Sequence, residues 1–266
     1  MQTTNYTPED IKGLCIRRLR KMSSQSQWFV LRKEKSTLER CNASAKEEYA
    51  FDIFTEMQLE MDLGKTKGTG QLFKTSLEKS LFSSPVACIK SIEARLKKLY
   101  KKYTADDIKD IHLLENLKTA LEAITPADFT RYQKLLDLLK SKEYAWNPAD
   151  SGDRVVIFTE RIETMKYLAE RLRQDLGLKA NAIQEISGGM SDSEQQRIVE
   201  DFGRTESSVR VLVASDVASE GLNLHYLSHR LIHFDIPWSL MVFQQRNGRI
   251  DRYGQQKRPD IRYMHY

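Results

Sequence analysis

The apolar positions of this chain change period near residue 150. Before that point they recur at spacings of three and four, which predicts helices over 46–63, 86–102, 106–123 and 127–141. In the last of these, Phe129, Tyr132, Leu135, Leu136 and Leu139 make one stripe. Pro126 suits a first helical turn there, and Thr125 is the expected N-cap. Pro85 likewise precedes Val86, Ile89 and Ile92. No strand-rich run stands out in this half.

After residue 150 the pattern alternates. Val155-Val156-Ile157-Phe158 is short, continuous and apolar, as a strand covered on both faces should be. A helix is expected over 161–176, ended by Gly177, then a strand over 182–186. Ser191 with Glu194 has the spacing of a capping box opening a helix over 191–203. Strands follow at 209–214, 230–234 and 261–265, with a helix over 239–249. Strands alternating with helices of this length imply crossover units and a parallel sheet. The expected class is α/β, a parallel sheet flanked by helices, preceded by a mostly helical region. The domains are drawn at 1–126 and 127–266. In such sheets the loops at the carboxyl ends of strands form the binding crevice. Thr159-Glu160, Ser187-Gly188-Gly189, Ser215-Asp216 and Asp235-Ile236-Pro237-Trp238 are those loops.

Charge refines this picture without deciding it. The 266 residues carry a net charge of +5, which permits a polyanionic partner but does not require one. Basic residues cluster at 90–102, as a solvated helix face would, and again at 246–258. The cysteines, Cys15, Cys41 and Cys88, lie far apart, without metal-binding spacing, and suit a reducing cytoplasm. No leader pattern opens the chain, and no apolar run approaches the roughly 18 residues of a membrane span.

The strongest chemical signal is Gln245-Arg246-Asn247-Gly248-Arg249-Ile250-Asp251-Arg252. Guanidinium groups stay charged and grip phosphate oxygens in pairs. Gly248 permits a sharp turn beside them. This run resembles motif VI of superfamily 2 helicases, Gln-Arg-x-Gly-Arg-x-x-Arg, at every defined position. Ala214 to Asn223 resembles motif V, with its Ser-Glu-Gly closest to bacterial RNA-polymerase-associated and defence-type helicases. Val155–Thr159 resembles motif IV, and Gly188 a family glycine ahead of Gln195-Gln196-Arg197. Ile16–Arg20, Ala45–Tyr49 and Ser83-Ser84-Pro85 are similar to stretches of Swi/Snf-like proteins. The similarity is strong over 151–266, moderate over 1–60 and thin over 61–125.

The resemblance implies a RecA-like C-terminal helicase lobe. It implies Arg249 and Arg252 as arginine fingers on the γ-phosphate, with Gln245, Glu220, Gly221, Asn223 and Gly248 along the nucleotide edge. Thr159, Gly188, Ser215 and Asp216 fall on its nucleic-acid side. The implied cofactors are ATP and magnesium, and the implied substrate is double-stranded DNA rather than RNA. RNA polymerase or a defence-system protein is a further implied partner, in a prokaryotic cytoplasm, with no membrane.

A phosphate cradle is not found. Gly64-Lys65-Thr66 has Leu59 where the cradle's first glycine belongs, and no apolar strand before it. An Asp-Glu pair after a buried strand is also missing. The expectation is a lobe that works with a separate N-terminal lobe, inactive as an ATPase alone, and the end at Tyr266 is taken as the edge of a fragment. Two other readings stay open: a non-catalytic nucleic-acid or protein-binding module, and an RNA helicase.

Overall fold

The computed structural model describes residues 35–59, 67–101, 105–215, 224–252 and 254–266. Six strands form one parallel sheet: β1 Lys35–Arg40, β2 Arg154–Thr159, β3 Ile183–Ile186, β4 Val211–Ser215, β5 Ser228–His233 and β6 Asp260–His265. Their order is β1-β6-β5-β2-β4-β3. Every residue of β2 and of β4 is buried, which explains their unbroken apolar runs. The strand order reverses beside β2, so the carboxyl ends of β2, β4 and β5 border the topological switch point.

The helices are α1 Ala45–Glu56, α2 Lys67–Ser83, α3 Pro85–Lys101, α4 Ala105–Glu122, α5 Thr130–Lys140, α6 Ile162–Asp175, α7 Asp192–Gly203 and α8 Leu240–Asn247. Alternate sheet residues feed two cores. Val155, Ile157, Val213, Ile232 and Met264 pack with residues of α5 and α6 on one face. Val156, Phe158, Leu212, Leu231 and Ile261 pack with α7 on the other. A third core, with Phe54, Leu77, Ile92 and Leu117, ties α1 to α4 together. The capping boxes of α1 (Ser44 with Glu47) and α7 (Ser191 with Glu194) are both formed.

Three local expectations are corrected. Residues 35–40, in the mostly helical region where no strand was expected, are a strand and pair with β6 from Lys35↔Asp260 to Arg40↔His265. One sheet strand therefore comes from the N-terminal side of the 126/127 boundary. Helix α2, not anticipated, fills residues 67–83. Thr125 does not cap α5, whose N-cap is Phe129. Instead Asp128 accepts from both the Thr125 amide (2.9 Å) and hydroxyl (2.5 Å), closing a turn that uses the capping group locally. Gly64-Lys65-Thr66 and Ile16–Arg20 lie outside the described residues.

Candidate functional site

The carboxyl rim of the sheet is organised by Asp235, the buried residue two positions after β5. Its Oδ2 accepts from Thr159 (2.6 Å) and from Ser83 (2.7 Å), and its Oδ1 accepts from the Glu160 amide (2.9 Å). One carboxylate thus gathers the end of β2, the end of α2 and the loop after β5. The Thr159 hydroxyl is fully buried and donates inward, so its proton is not offered to an outside phosphate.

Helix α8 is fastened to this carboxylate through Arg246, which is fully buried. Its Nη1 donates to the Asp235 carbonyl at 2.9 Å, its Nη2 lies 3.6 Å from Oδ1, and its guanidinium stands 5.6 Å from the Phe158 ring centre. The same Nη1 is 3.3 Å from His233 Nδ1. Burial, then the charge of Arg246, pushes the His233 pKa down to about 3. The ring is therefore neutral near pH 7. Since arginine can only donate, Nδ1 is the acceptor and Nε2–H donates to Asn247 Oδ1 at 2.7 Å. Asn247 Nδ2 in turn donates to the Tyr263 hydroxyl (3.1 Å), and the His233, Phe243 and Tyr263 rings stack at 4.8–5.1 Å.

Beyond α8 the chain turns through Gly248, whose amide bonds to the Gln244 carbonyl at 3.0 Å. Ile250 is buried in the sheet core and acts as an anchor. Arg249 on one side of it is half-buried, and Arg252 on the other is exposed. The Leu224 amide donates to the Arg249 carbonyl at 3.3 Å, joining the segment after motif V to motif VI. Gln245 is half-buried and Gly248 exposed. Gly188 is exposed in the turn after β3, and Ser215 is buried at the end of β4, its hydroxyl without a hydrogen-bond partner among the described residues. Asp216, Glu220, Gly221 and Asn223 lie outside the described residues.

A cavity of about 300 Å³ opens on this rim, lined in part by Lys79, Arg131, Glu160, Trp238 and Tyr266. Among the described residues, no group of three or more His, Cys, Asp or Glu is arranged to hold a metal ion, and no helix is long and apolar enough to cross a membrane. Asp235 and His233 were given no role from sequence, and Ser83 entered only through the resemblance of Ser83-Ser84-Pro85 to Swi/Snf-like proteins. Asp235 belonged to a recognised rim loop, but nothing local marked it as the point where four segments meet.

Residues 130–254 match the family model of the helicase conserved C-terminal domain. The fold resembles the C-terminal part of the Fun30 ATPase domain (TM-score 0.57, 15% identity, covering 87% of this chain and 84% of that one). It also resembles the Sulfolobus solfataricus SWI2/SNF2 ATPase core in complex with dsDNA (TM-score 0.51, 19% identity, covering 88% and 41%). Residues 130–254 thus resemble a helicase C-terminal domain, and the sheet with its flanking helices has the RecA-like fold of the C-terminal lobes of Swi2/Snf2 ATPases. In sequence the chain is similar to the RNA polymerase-associated protein RapA of Vibrio campbellii, 32% identical over 132 residues, which is 50% of this chain. RapA of Photobacterium profundum is 31% identical over 135 residues, 51% of this chain. The matched segments span 12% and 13% of those two relatives.

Proposed function

We propose that this chain is the C-terminal motor lobe of an ATP-dependent translocase acting on double-stranded DNA, and that an N-terminal lobe supplies the phosphate cradle. ATP is sandwiched between the lobes, with magnesium held mainly by the partner lobe. Arg249 and Arg252 meet the γ-phosphate, and Gln245, Gly248 and the motif V residues Glu220, Gly221 and Asn223 border the nucleotide. Gly188, Ser215 and Asp216 form the nucleic-acid side. Thr159, its proton taken by Asp235, supports that edge from within. Contacts to phosphate make sequence preference low.

The observation that carries this reading is the placement of motif VI. Arg246 holds its helix to the carboxyl rim at the switch point, while Ile250 anchors a turn that leaves Arg249 half-buried and Arg252 exposed. An arginine at a transferring phosphate contributes about a thousandfold or more to the rate. A lobe without its own cradle is inactive alone. RNA polymerase, named for the RapA relatives, is the first protein partner to try.

The test is ATP hydrolysis by the natural full-length protein with double- and single-stranded DNA and RNA. Double-stranded DNA is expected to stimulate most. Arg249→Ala should cut kcat at least about a thousandfold with nucleotide affinity preserved. Normal turnover by that variant removes the arginine role. Nucleic-acid binding with no hydrolysis by the unaltered protein favours the non-catalytic module instead.

A further inference from the structure

Around the rim run two strings of hydrogen bonds that meet at Asp235, with directions fixed by how many protons each group owns. Ser83 donates to Asp235 at 2.7 Å, so its oxygen accepts in its other short contact, with Thr164 (2.7 Å). Thr164 therefore donates to Ser83 and accepts from Ser84, also at 2.7 Å. The Ser84 oxygen accepts from the Ala87 amide (3.1 Å), at the start of α3. From the other side Arg246 donates to the carbonyl of Asp235 and to His233, which donates to Asn247, which donates to Tyr263. The hydrogen bonds from the α2–α3 junction end on the Asp235 carboxylate, those into α8 and β6 start from Arg246, and the two runs meet at Asp235 through its backbone carbonyl and the 3.6 Å ion pair of Arg246 with its carboxylate. Ser83, Ser84, Thr164, Asp235, His233 and Arg246 are all buried, so water does not substitute freely for any link.

The two serines belong to the helical stretch that sequence left without a role. Contacts beside them run the same way. Arg161 donates to the Ser76 carbonyl (2.9 Å), the Lys79 ammonium sits 5.3 Å from the Trp238 ring centre, and Arg131 donates to the Phe82 carbonyl.

We propose that Ser83 and Asp235 are positioning residues through which the α2–α3 region holds the arginine-bearing helix α8 in register, so that this region sets the competence of the motor site. The functional half of the proposal rests on the motor-lobe reading, and the structural half does not. Asp235 aims Arg246, and Arg246 with Asn247 fixes the last turn of α8, from which Arg249 and Arg252 extend. A loosened α8 lowers the fraction of molecules with their arginines in place, which reduces kcat more than it weakens ground-state nucleotide binding.

Two measurements test it. The first is amide hydrogen exchange across 240–252 in this chain, which needs no ATP hydrolysis. Ser83→Ala should raise exchange in α8 about tenfold relative to α7, and Ser83→Thr, which keeps the hydroxyl, should restore it. Unchanged α8 exchange in Ser83→Ala overturns the linkage whatever the lobe does. The second is turnover by the full-length protein. Ser83→Ala should lower kcat about fivefold and Asp235→Asn about tenfold or more, each with a smaller change in nucleotide Kd than in kcat. The double variant should be little worse than Asp235→Asn, since both cut the Ser83–Asp235 link. A lowered melting temperature with intact kcat, or fully additive losses, overturns the positioning role. Absent hydrolysis in the unaltered protein, or full activity of Arg249→Ala, sinks the motor reading instead and leaves the exchange result to decide the linkage.

Discussion

The amino and carboxyl ends of the sheet are both rich in arginine, yet they use it differently. At the amino ends, Arg154 is fully buried and donates to the Ser151 and Asp201 carbonyls and to those of Phe202 and Arg204. Arg230 pairs with Asp153 at 2.6 Å and donates to the Tyr144 carbonyl at 2.5 Å. These guanidiniums stitch strands to loops. At the carboxyl ends, Arg246 does the same work, but the next two arginines of its motif are half-buried and exposed. An arginine-rich segment therefore does not mark a site by itself. The carboxyl rim differs in that a buried arginine fastens a turn whose other arginines are half-buried and exposed.

The largest effect on stability should come from the amino ends. Arg230→Ala leaves the Asp153 carboxylate, whose side chain is 8% exposed, with the Asn147 amide as its main remaining donor. Breaking one side of a buried pair costs about 3–5 kcal/mol. Urea unfolding should show that loss, against little change for Arg252→Ala at the exposed rim. A loss under about 1 kcal/mol would put Arg230 among ordinary surface pairs and erase the contrast.

That contrast was only half visible in the sequence. The buried strands were legible because both faces are covered and the apolar runs are unbroken. The capping box at Ser191 was legible because its partners are three residues apart. Strand β1 was hidden because Lys35-Ser36-Thr37-Leu38-Glu39-Arg40 is half-exposed along its length and finds its partner, β6, more than two hundred residues away. Helix α2 was hidden by Gly68 and Gly70 in its first turn, which read as breakers. The motif gave Arg249 and Arg252 their candidate roles and Arg246 none, but it could not show the separation of a buried Arg246 from the other two. That separation depends on Phe158 and Asp235, which come from β2 and the loop after β5. Nor could it show that the Thr159 hydroxyl turns inward, since Ser83 and Asp235 reach it from 76 residues away on either side.

Acid should act at both ends of β5. Burial first, and neighbouring arginines second, lower the pKa of His229 to about 4 and of His233 to about 3. A histidine whose folded pKa lies below its unfolded value of 6.5 takes up protons on unfolding. Stability from this source is complete above about pH 6.5 and drains away as pH falls toward 3. At pH 5 the expected loss from His233 alone is about 2 kcal/mol relative to pH 7, from roughly 1.5 units at about 1.4 kcal/mol each. His233→Asn should flatten the slope between pH 7 and 5 by that amount. An equally steep slope in that variant would mean that the folded ring takes up its proton as readily as the unfolded one, and would remove the lowered His233 pKa.

The smallest effect should fall on the rim near Gly188, where a local device stands apart from the Asp235 network. Ser191 caps α7, accepting from the Glu194 amide at 3.4 Å while Glu194 accepts from the Ser191 amide at 3.0 Å and its hydroxyl at 2.8 Å. Those hydrogen bonds hold the Glu194 carboxyl below its ordinary pKa. The box is exposed to water, so its removal leaves no buried group orphaned. Ser191→Ala should cost about 1 kcal/mol, the usual worth of a side-chain cap, and leave α8 exchange untouched. A loss of 3 kcal/mol or more, of the order predicted for Arg230→Ala, would show that the carboxyl rim is held together as tightly as the amino end. The arginines of motif VI would then stand on a rigid rim rather than on one fastened chiefly through Asp235.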